Sequence, residues 1–193
     1  MRALDKALAH GYSPFIPNFK EKNMNITEFV HESVTALNST MIDDVKELTP
    51  EQLAWQPAPN ANPIGFIFWH FMRVQDGMIH GFQGRPQLWE SEKWYEKMGM
   101  DVKVSGGGFQ EPEVQKVAAL PLADLLAYAE RVSEVSSDYF KSLTDADFDR
   151  APNPDRPRRT IAVTVRAFLI GHGWWHAGEI KYLRGMQGMP FPM

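Results

Sequence analysis

The sequence predicts an all-α protein: a four-helix bundle with a long connection between its second and third helices. Two observations point there. Apolar residues recur at alternating three- and four-residue spacing through four long segments, which is the signature of helices with one buried stripe. No segment shows the strict alternation of a half-buried strand and no internal repeat is present, while prolines and glycines gather between the four segments.

Residues 1–24 read as an N-terminal arm, with weak periodicity broken by Gly11, Pro14 and Pro17, and with Met24 as an alternative start. The bundle domain then spans 25–193. Its first helix runs from Asn25 to about Glu47, with Ile26, Phe29, Val30, Ser33, Leu37, Met41, Val45 and Leu48 inside and Glu28, Glu32, Asp43 and Lys46 outside. Thr49 and Pro50 open a short helical turn that Pro57 and Pro59 stop. The second helix takes Asn62 as its cap and Pro63 as its first residue, and continues to about Gly81 through Ile64, Ile67, Phe68, Phe71, Met78 and Ile79. His70 lies on the inner edge of that stripe.

From Gly81 to Leu120 the pattern loosens. An amphipathic piece at 87–98 carries Trp89, Trp94 and Tyr95, and Ser105 is followed by Gly106, Gly107 and Gly108. No helix bearing a lysine opens after these glycines to cradle a phosphate, so they read as a flexible connector. A connection of this length either crosses the bundle from end to end or folds as a lid over a site. Pro121 begins the third helix, which reaches about Leu143 with the cleanest amphipathic pattern in the chain. Thr160 caps the last long helix, which extends through Arg184.

At 193 residues and 44% hydrophobic, the chain is long enough for one domain with its own core. A net charge of −4, without a run of lysines or arginines, does not suit a nucleic-acid partner. There are no cysteines, which excludes disulfides, thiolate ligands and a thiol nucleophile belonging to this chain. The first residues lack the apolar core of a secretory signal, and no stretch of about 18 apolar residues spans a membrane. The expected location is cytoplasmic.

The chemistry is concentrated in the last helix. His172 and His176 are one turn apart and fall in the stripe made by Ile161, Val165, Phe168, Leu169, Trp175, Ile180 and Leu183. Two imidazoles buried on adjacent turns need something that takes both nitrogens, or each unmade bond costs about 1–3 kcal/mol. A metal ion meets that need, and His70 is a third inward-facing candidate. Gly171, Gly173 and Gly178 interrupt the same helix, either to make room for a bound group or to let another helix approach.

Three histidines without cysteine point to an open site of the catalytic kind, where an ion lowers the pKa of water or holds an incoming thiol as thiolate. Other motifs do not fit. The pair His172-Gly-Trp-Trp-His176 has the spacing of a zinc-protease helix, but Gly173 stands where the glutamate belongs. A di-iron bundle needs two Glu-x-x-His pairs, and only Glu28 with His31 qualifies, close to a helix start. His31 therefore reads as a half-exposed surface residue, His10 as part of the arm, and His80 as a partner of its helix C-terminus.

A histidine within Ile64-Gly-Phe-Ile-Phe-Trp-His70-Phe-Met-Arg-Val-Gln-Asp76, followed about a hundred residues later by His172-x-x-x-His176-Ala-Gly-Glu-Ile-x-x-Leu-Arg184, resembles the DinB/YfiT-like family of metalloenzymes. The resemblance covers about residues 25–187. It implies a four-helix bundle with an up-down-down-up path and a divalent metal, zinc or nickel, held by His70, His172 and His176. Relatives include thiol-dependent S-transferases and a maleylpyruvate isomerase that use mycothiol, bacillithiol or glutathione. The chain departs from the family at Glu179, where relatives often have a neutral polar residue, and in a longer 85–110 region.

Glu179, one turn beyond His176, is a candidate catalytic residue: it hydrogen-bonds a ligand histidine, acts as general base or occupies an open metal position, unless it forms a salt bridge near the bundle's end. Arg73, one turn from His70, is the second candidate, as a receiver for a substrate carboxylate. Asp76 is either an acceptor behind a ligand or half of an exposed ion pair. Arg156, Arg158 and Arg159 either greet an anionic substrate or form a solvated basic loop, and Trp69, Trp174 and Trp175 either wall a pocket or belong to the core. The expected function is metal-dependent transfer of a low-molecular-weight thiol to a small electrophile, with dimerisation through a bundle face left open. The alternatives are a hydrolase activating water at the same ion and a non-enzymatic ligand-binding or structural bundle.

Overall fold

A computed structural model describes residues 24–190, so the expected arm at 1–24, His10 included, lies outside the described residues except for Met24. Helix α1 (Ile26–Val45) starts with a capping box: the Asn25 side chain accepts the Glu28 amide at 2.8 Å and Glu28 accepts the Asn25 amide at 3.4 Å. Thr49 and Gln52 repeat the device at α2 (Pro50–Ala54). Helix α3 (Ile64–Gln83) begins one residue later than the cap chemistry predicts, because Pro63 itself occupies the cap position and no side chain closes the turn. It ends at Gly84, whose φ of 65° is the left-handed conformation that a helix C-terminus favours in glycine.

The long connection is structured. It contains α4 (Leu88–Ser91), α5 (Trp94–Lys97) and α6 (Glu111–Ala118), and its Leu88, Trp89, Trp94, Met98, Val114 and Val117 enter the main core. Topology explains its length. Helix α7 (Leu122–Ser142) runs parallel to α3, since Arg73 meets Tyr128 while Phe82, further along, stacks on Tyr139. The chain must therefore travel back along the bundle before α7 can begin.

A 3₁₀ turn (Asp145–Asp149) and an exposed loop lead to the last rod, in which α8 (Ile161–Thr164), a π-helical segment (Val165–Gly171) and α9 (His172–Met186) follow without a break. Helix α1 is antiparallel to α7, because Thr27 bonds the Leu143 carbonyl and His31 bonds Ser137. It is parallel to α9, because Leu37 lies beside Gly173 while Asp44 pairs with Lys181 at 2.7 Å. The path is up-down-down-up. No helix among the described residues is long and apolar enough to cross a membrane.

Val30, Val34, Leu37, Met41 and Val45 form the buried stripe of α1, each contributing about 1.5–3 kcal/mol by leaving water. Ile26 and Phe29, expected inside, are exposed at the start of the helix. The larger departure is in the last rod, whose buried positions are Ile161, Val165, Leu169, Gly173, Ala177, Ile180 and Leu183. Through the π-segment each turn takes more than the usual 3.6 residues, so the stripe advances by four and slips off the expected positions. Phe168 at 40%, Trp174 at 42% and Trp175 at 70% exposure face outward as a result. Gly173 lies against α1 and α3 so closely that a Cβ there would be 2.3 Å from Leu37 Cδ2 and 2.7 Å from the Phe71 ring. Close packing, rather than room for a bound group, explains this glycine; Gly178 faces open space.

Candidate metal centre

With Gly173 and Ala177 as its contact surface, α9 draws near α3, and the side chains beside those small residues come level with His70. The His70 ring lies 5.7 Å from that of His172 and 5.6 Å from that of His176, nearly perpendicular to both. One ligand nitrogen from each of the three histidines falls within 4.8 Å of the other two. All three side chains are half-buried at the edge of the core. Three imidazoles from two helices thus converge on one point.

Their hydrogen bonds fix which nitrogens face that point. His70 Nδ1 lies 3.1 Å from the Ser105 carbonyl, which only accepts, so Nδ1 donates and Nε2 carries the free lone pair. Phe66, one turn earlier on α3, stacks on the same ring at 5.8 Å and holds its plane. His176 Nδ1 donates to the Glu179 carboxylate at 2.7 Å, which again turns Nε2 inward. That Nε2 is 2.9 Å from Nε2 of His172. His172 Nδ1 is buried without a hydrogen bond, although the Phe168 carbonyl, four residues back in the π-segment, acts on the ring.

Burial lowers the pKa of His70 below its usual value despite the Ser105 carbonyl. Burial also lowers that of His172, and the neighbouring His176 and His70 rings add to the effect. Both are therefore neutral at pH 7, the form whose lone pair coordinates a metal.

A divalent ion fits this donor set. Two nitrogens each about 2.05 Å from one ion stand about 2.9 Å apart at a right angle and about 3.3 Å apart at a tetrahedral angle; the 2.9 Å spacing of His172 and His176 meets the first. Without a cation or a shared proton, two bare lone pairs at that distance repel. His70 and His176 each have a hydrogen-bonded carbonyl or carboxylate behind them, as histidine ligands generally do.

The structure gives Arg73 a different occupation from the substrate contact expected of it. It is 4% exposed, and its Nη1 donates to Asp76 at 3.2 Å, Gln87 at 2.9 Å and Tyr128 at 3.1 Å, while Nη2 donates to the Val104 carbonyl at 3.1 Å. Asp76 is buried as well. Its two oxygens accept from the amides of Leu88 and Trp89, from Tyr128 and from His80. Asp76 is therefore the hub that ties α3 to α4 and α7, neither an exposed ion pair nor a partner of His70. His80, expected at its helix terminus, is turned back onto Asp76 at 2.8 Å.

Arg156, Arg158 and Arg159 form an exposed loop between the 3₁₀ turn and α8. The neighbouring Arg150 bonds the Phe82 carbonyl, which lies about 18 Å along α3 from His70, so this loop is at the other end of the bundle. Trp69 is core, whereas Trp174 and Trp175 are surface. Sequence reasoning missed Ser105, because a backbone carbonyl carries no residue signature. The triple glycine after it was the available signal.

A conserved protein from Enterococcus faecalis, known from its crystal structure, shares this fold with a TM-score of 0.68; at 20% identity the match covers 83% of this chain and 96% of that one. No protein of curated function matches the chain. The family model of the DinB superfamily matches residues 39–180, a span that begins within α1 and contains His70, His172 and His176, and the chain belongs to that superfamily.

Proposed function

We propose that His70, His172 and His176 hold one divalent ion, zinc or nickel, and that the protein is a cytoplasmic metal-dependent transferase that adds a low-molecular-weight thiol to a small electrophile. The observation that carries the proposal is the 2.9 Å approach of two imidazole Nε2 atoms, one of them backed by a carboxylate. When bound, the ion supplies Lewis acidity that keeps an external thiol ionised at neutral pH. The described chain contributes the rest. Glu179 holds the proton on His176 Nδ1 and aims that ring, the Ser105 carbonyl does the same for His70, and Phe66 fixes the plane of His70. Arg73 acts in the framework behind the site.

Membership of the DinB superfamily and the three-histidine cluster support the metal, and the absence of cysteine from these 193 residues supports a thiol from outside. Elemental analysis of the purified protein should give close to one metal per chain, with none in His176→Ala. A wild type that takes up no zinc or nickel would refute the proposal. Consumption of a small electrophile with formation of its thioether should require added glutathione, mycothiol or bacillithiol; hydrolysis of the electrophile without thiol would assign a hydrolase instead.

A further inference from the structure

The residues from Val104 to Gly106 belong to no helix, yet they are fastened to α3 at each step. Arg73 donates Nη2 to the Val104 carbonyl at 3.1 Å and Nε to the same oxygen at 3.4 Å. The next carbonyl, that of Ser105, meets His70 Nδ1 at 3.1 Å. The next residue, Gly106, has a φ of 85° and lies so close that a Cβ would be 2.7 Å from His70 Nδ1 and 3.1 Å from the Trp69 ring. Arg73 is itself immobilised, since Asp76 and Gln87 accept from it and the Trp89 ring lies 4.5 Å from its guanidinium carbon.

Resting on the metal-binding reading above, we propose that this strap is the positioning element of His70, with Gly106 as the residue that permits its close approach and Arg73 as its anchor. A carbonyl at Nδ1 forces the proton onto that nitrogen and leaves Nε2 bare toward His172 and His176. Without the carbonyl the ring is free to carry its proton on Nε2, which closes the lone pair a metal requires. Only glycine allows the approach: the backbone is left-handed and a methyl group would strike the imidazole. Arg73 and His70 are three residues apart, so one turn of α3 holds both the ligand and the clamp that orients it. The triple glycine, which resembles a linker in sequence, is on this account part of the metal centre.

The test uses the whole chain, stripped of metal and kept above the pH at which imidazoles protonate. Nitrogen-15 NMR of the wild type should show His70 protonated on Nδ1; protonation on Nε2 overturns the proposal. In Gly106→Ala that signature should be lost, and zinc affinity measured against a competing chelator should fall about 10–100-fold. Gly107→Ala is the control, because its Cβ would meet only Ser105 Oγ at 3.8 Å, and it should bind zinc as the wild type does. Unchanged zinc affinity in Gly106→Ala, or an equal loss in Gly107→Ala, also overturns it. Arg73→Lys keeps a cation beside Asp76 but cannot grip Val104 through two nitrogens, and should lose about tenfold in affinity; no loss removes Arg73 as anchor. If Gly106→Ala fails to fold, the wild-type tautomer decides alone. A wild type that binds no zinc defeats the metal reading while the tautomer still tests the strap.

Discussion

Nε2 of His172 stands 2.9 Å from Nε2 of His176, and the far side of the His176 ring is committed to Glu179. Without a metal the two rings share one proton across that gap; a cation replaces this single hydrogen bond with two coordinate bonds, so the ion should stabilise the fold as well as serve chemistry. A ligand present at about 100 times its dissociation constant adds about 2.7 kcal/mol. For a domain of this size that raises the melting temperature by roughly 5–10 °C. Zinc or nickel should produce this rise in chelator-treated protein and EDTA should reverse it. His176→Ala should melt at one temperature with or without metal; a metal-dependent rise surviving in that variant would mean that other residues bind the ion.

Glu179 sharpens His176 without burying a charge of its own, for its side chain is 40% exposed. Glu179→Gln retains an oxygen able to accept from Nδ1 but removes the negative charge behind the ring that favours a cation at Nε2. Zinc affinity should fall about tenfold, while stability in the metal-free state should change by less than about 0.5 kcal/mol. Competition with a chelator and urea unfolding measure the two quantities. A variant with full affinity would reduce Glu179 to a surface salt bridge.

The Asp76–His80 pair makes stability depend on pH. The hydrogen bond that His80 donates to the Asp76 carboxylate is the main cause that raises the His80 pKa above its usual 6.5. Burial works to raise the Asp76 pKa, but bonds from His80, Tyr128 and the Trp89 and Leu88 amides together hold it below its usual 3.8. The His80 contribution is complete below pH 6.5 and lost as pH rises through the elevated value. The Asp76 contribution is complete above pH 3.8 and lost as pH falls through the depressed value. The stability advantage of wild type over His80→Gln, measured by urea unfolding of metal-free protein, should therefore be greatest between these limits and shrink on the alkaline side. An advantage that grows above pH 8 would contradict the pairing.

The four rods and the three converging histidines are legible because each rests on long periodic segments or on residue types with one dominant chemistry, whereas the up-down-down-up path is legible only through the family resemblance. His70 lies on an unbroken 3.6-residue stripe, so its inward direction followed from its neighbours. The same period carried through residues 165–171 puts Phe168 and Trp175 inside, but the π-helical turn there shifts the buried stripe to Leu169, Gly173 and Ala177. No residue in Val165-Arg-Ala-Phe-Leu-Ile-Gly171 announces a π-turn. Arg73, one turn from His70, reads in sequence as a receiver for a substrate carboxylate. Its burial depends on Asp76, Gln87, Tyr128 and Val104, partners brought in by the long connection and α7, which local periodicity does not register.

Two glycines of α9 should respond oppositely to one methyl group. At Gly173 a Cβ would lie 2.3 Å from Leu37 Cδ2 and 2.7 Å and 2.8 Å from two atoms of the Phe71 ring, in a core with no slack. Gly173→Ala must push α9 away from α1 and α3, at a cost of about 1–3 kcal/mol for overpacking. Because the same displacement carries His172 and His176 away from His70, zinc affinity should fall with stability. At Gly178 nothing lies within 4 Å of an added Cβ, and the residue is exposed in the interior of the helix. Gly178→Ala should stabilise by about 0.5–1 kcal/mol, by removing glycine's excess freedom from the unfolded chain, and should leave the metal bound as before. Melting temperatures and zinc titrations of the two variants provide the comparison. Equal shifts of the same sign would show that α9 does not approach α1 and α3 through Gly173, and the convergence of the three imidazoles would lose its structural basis.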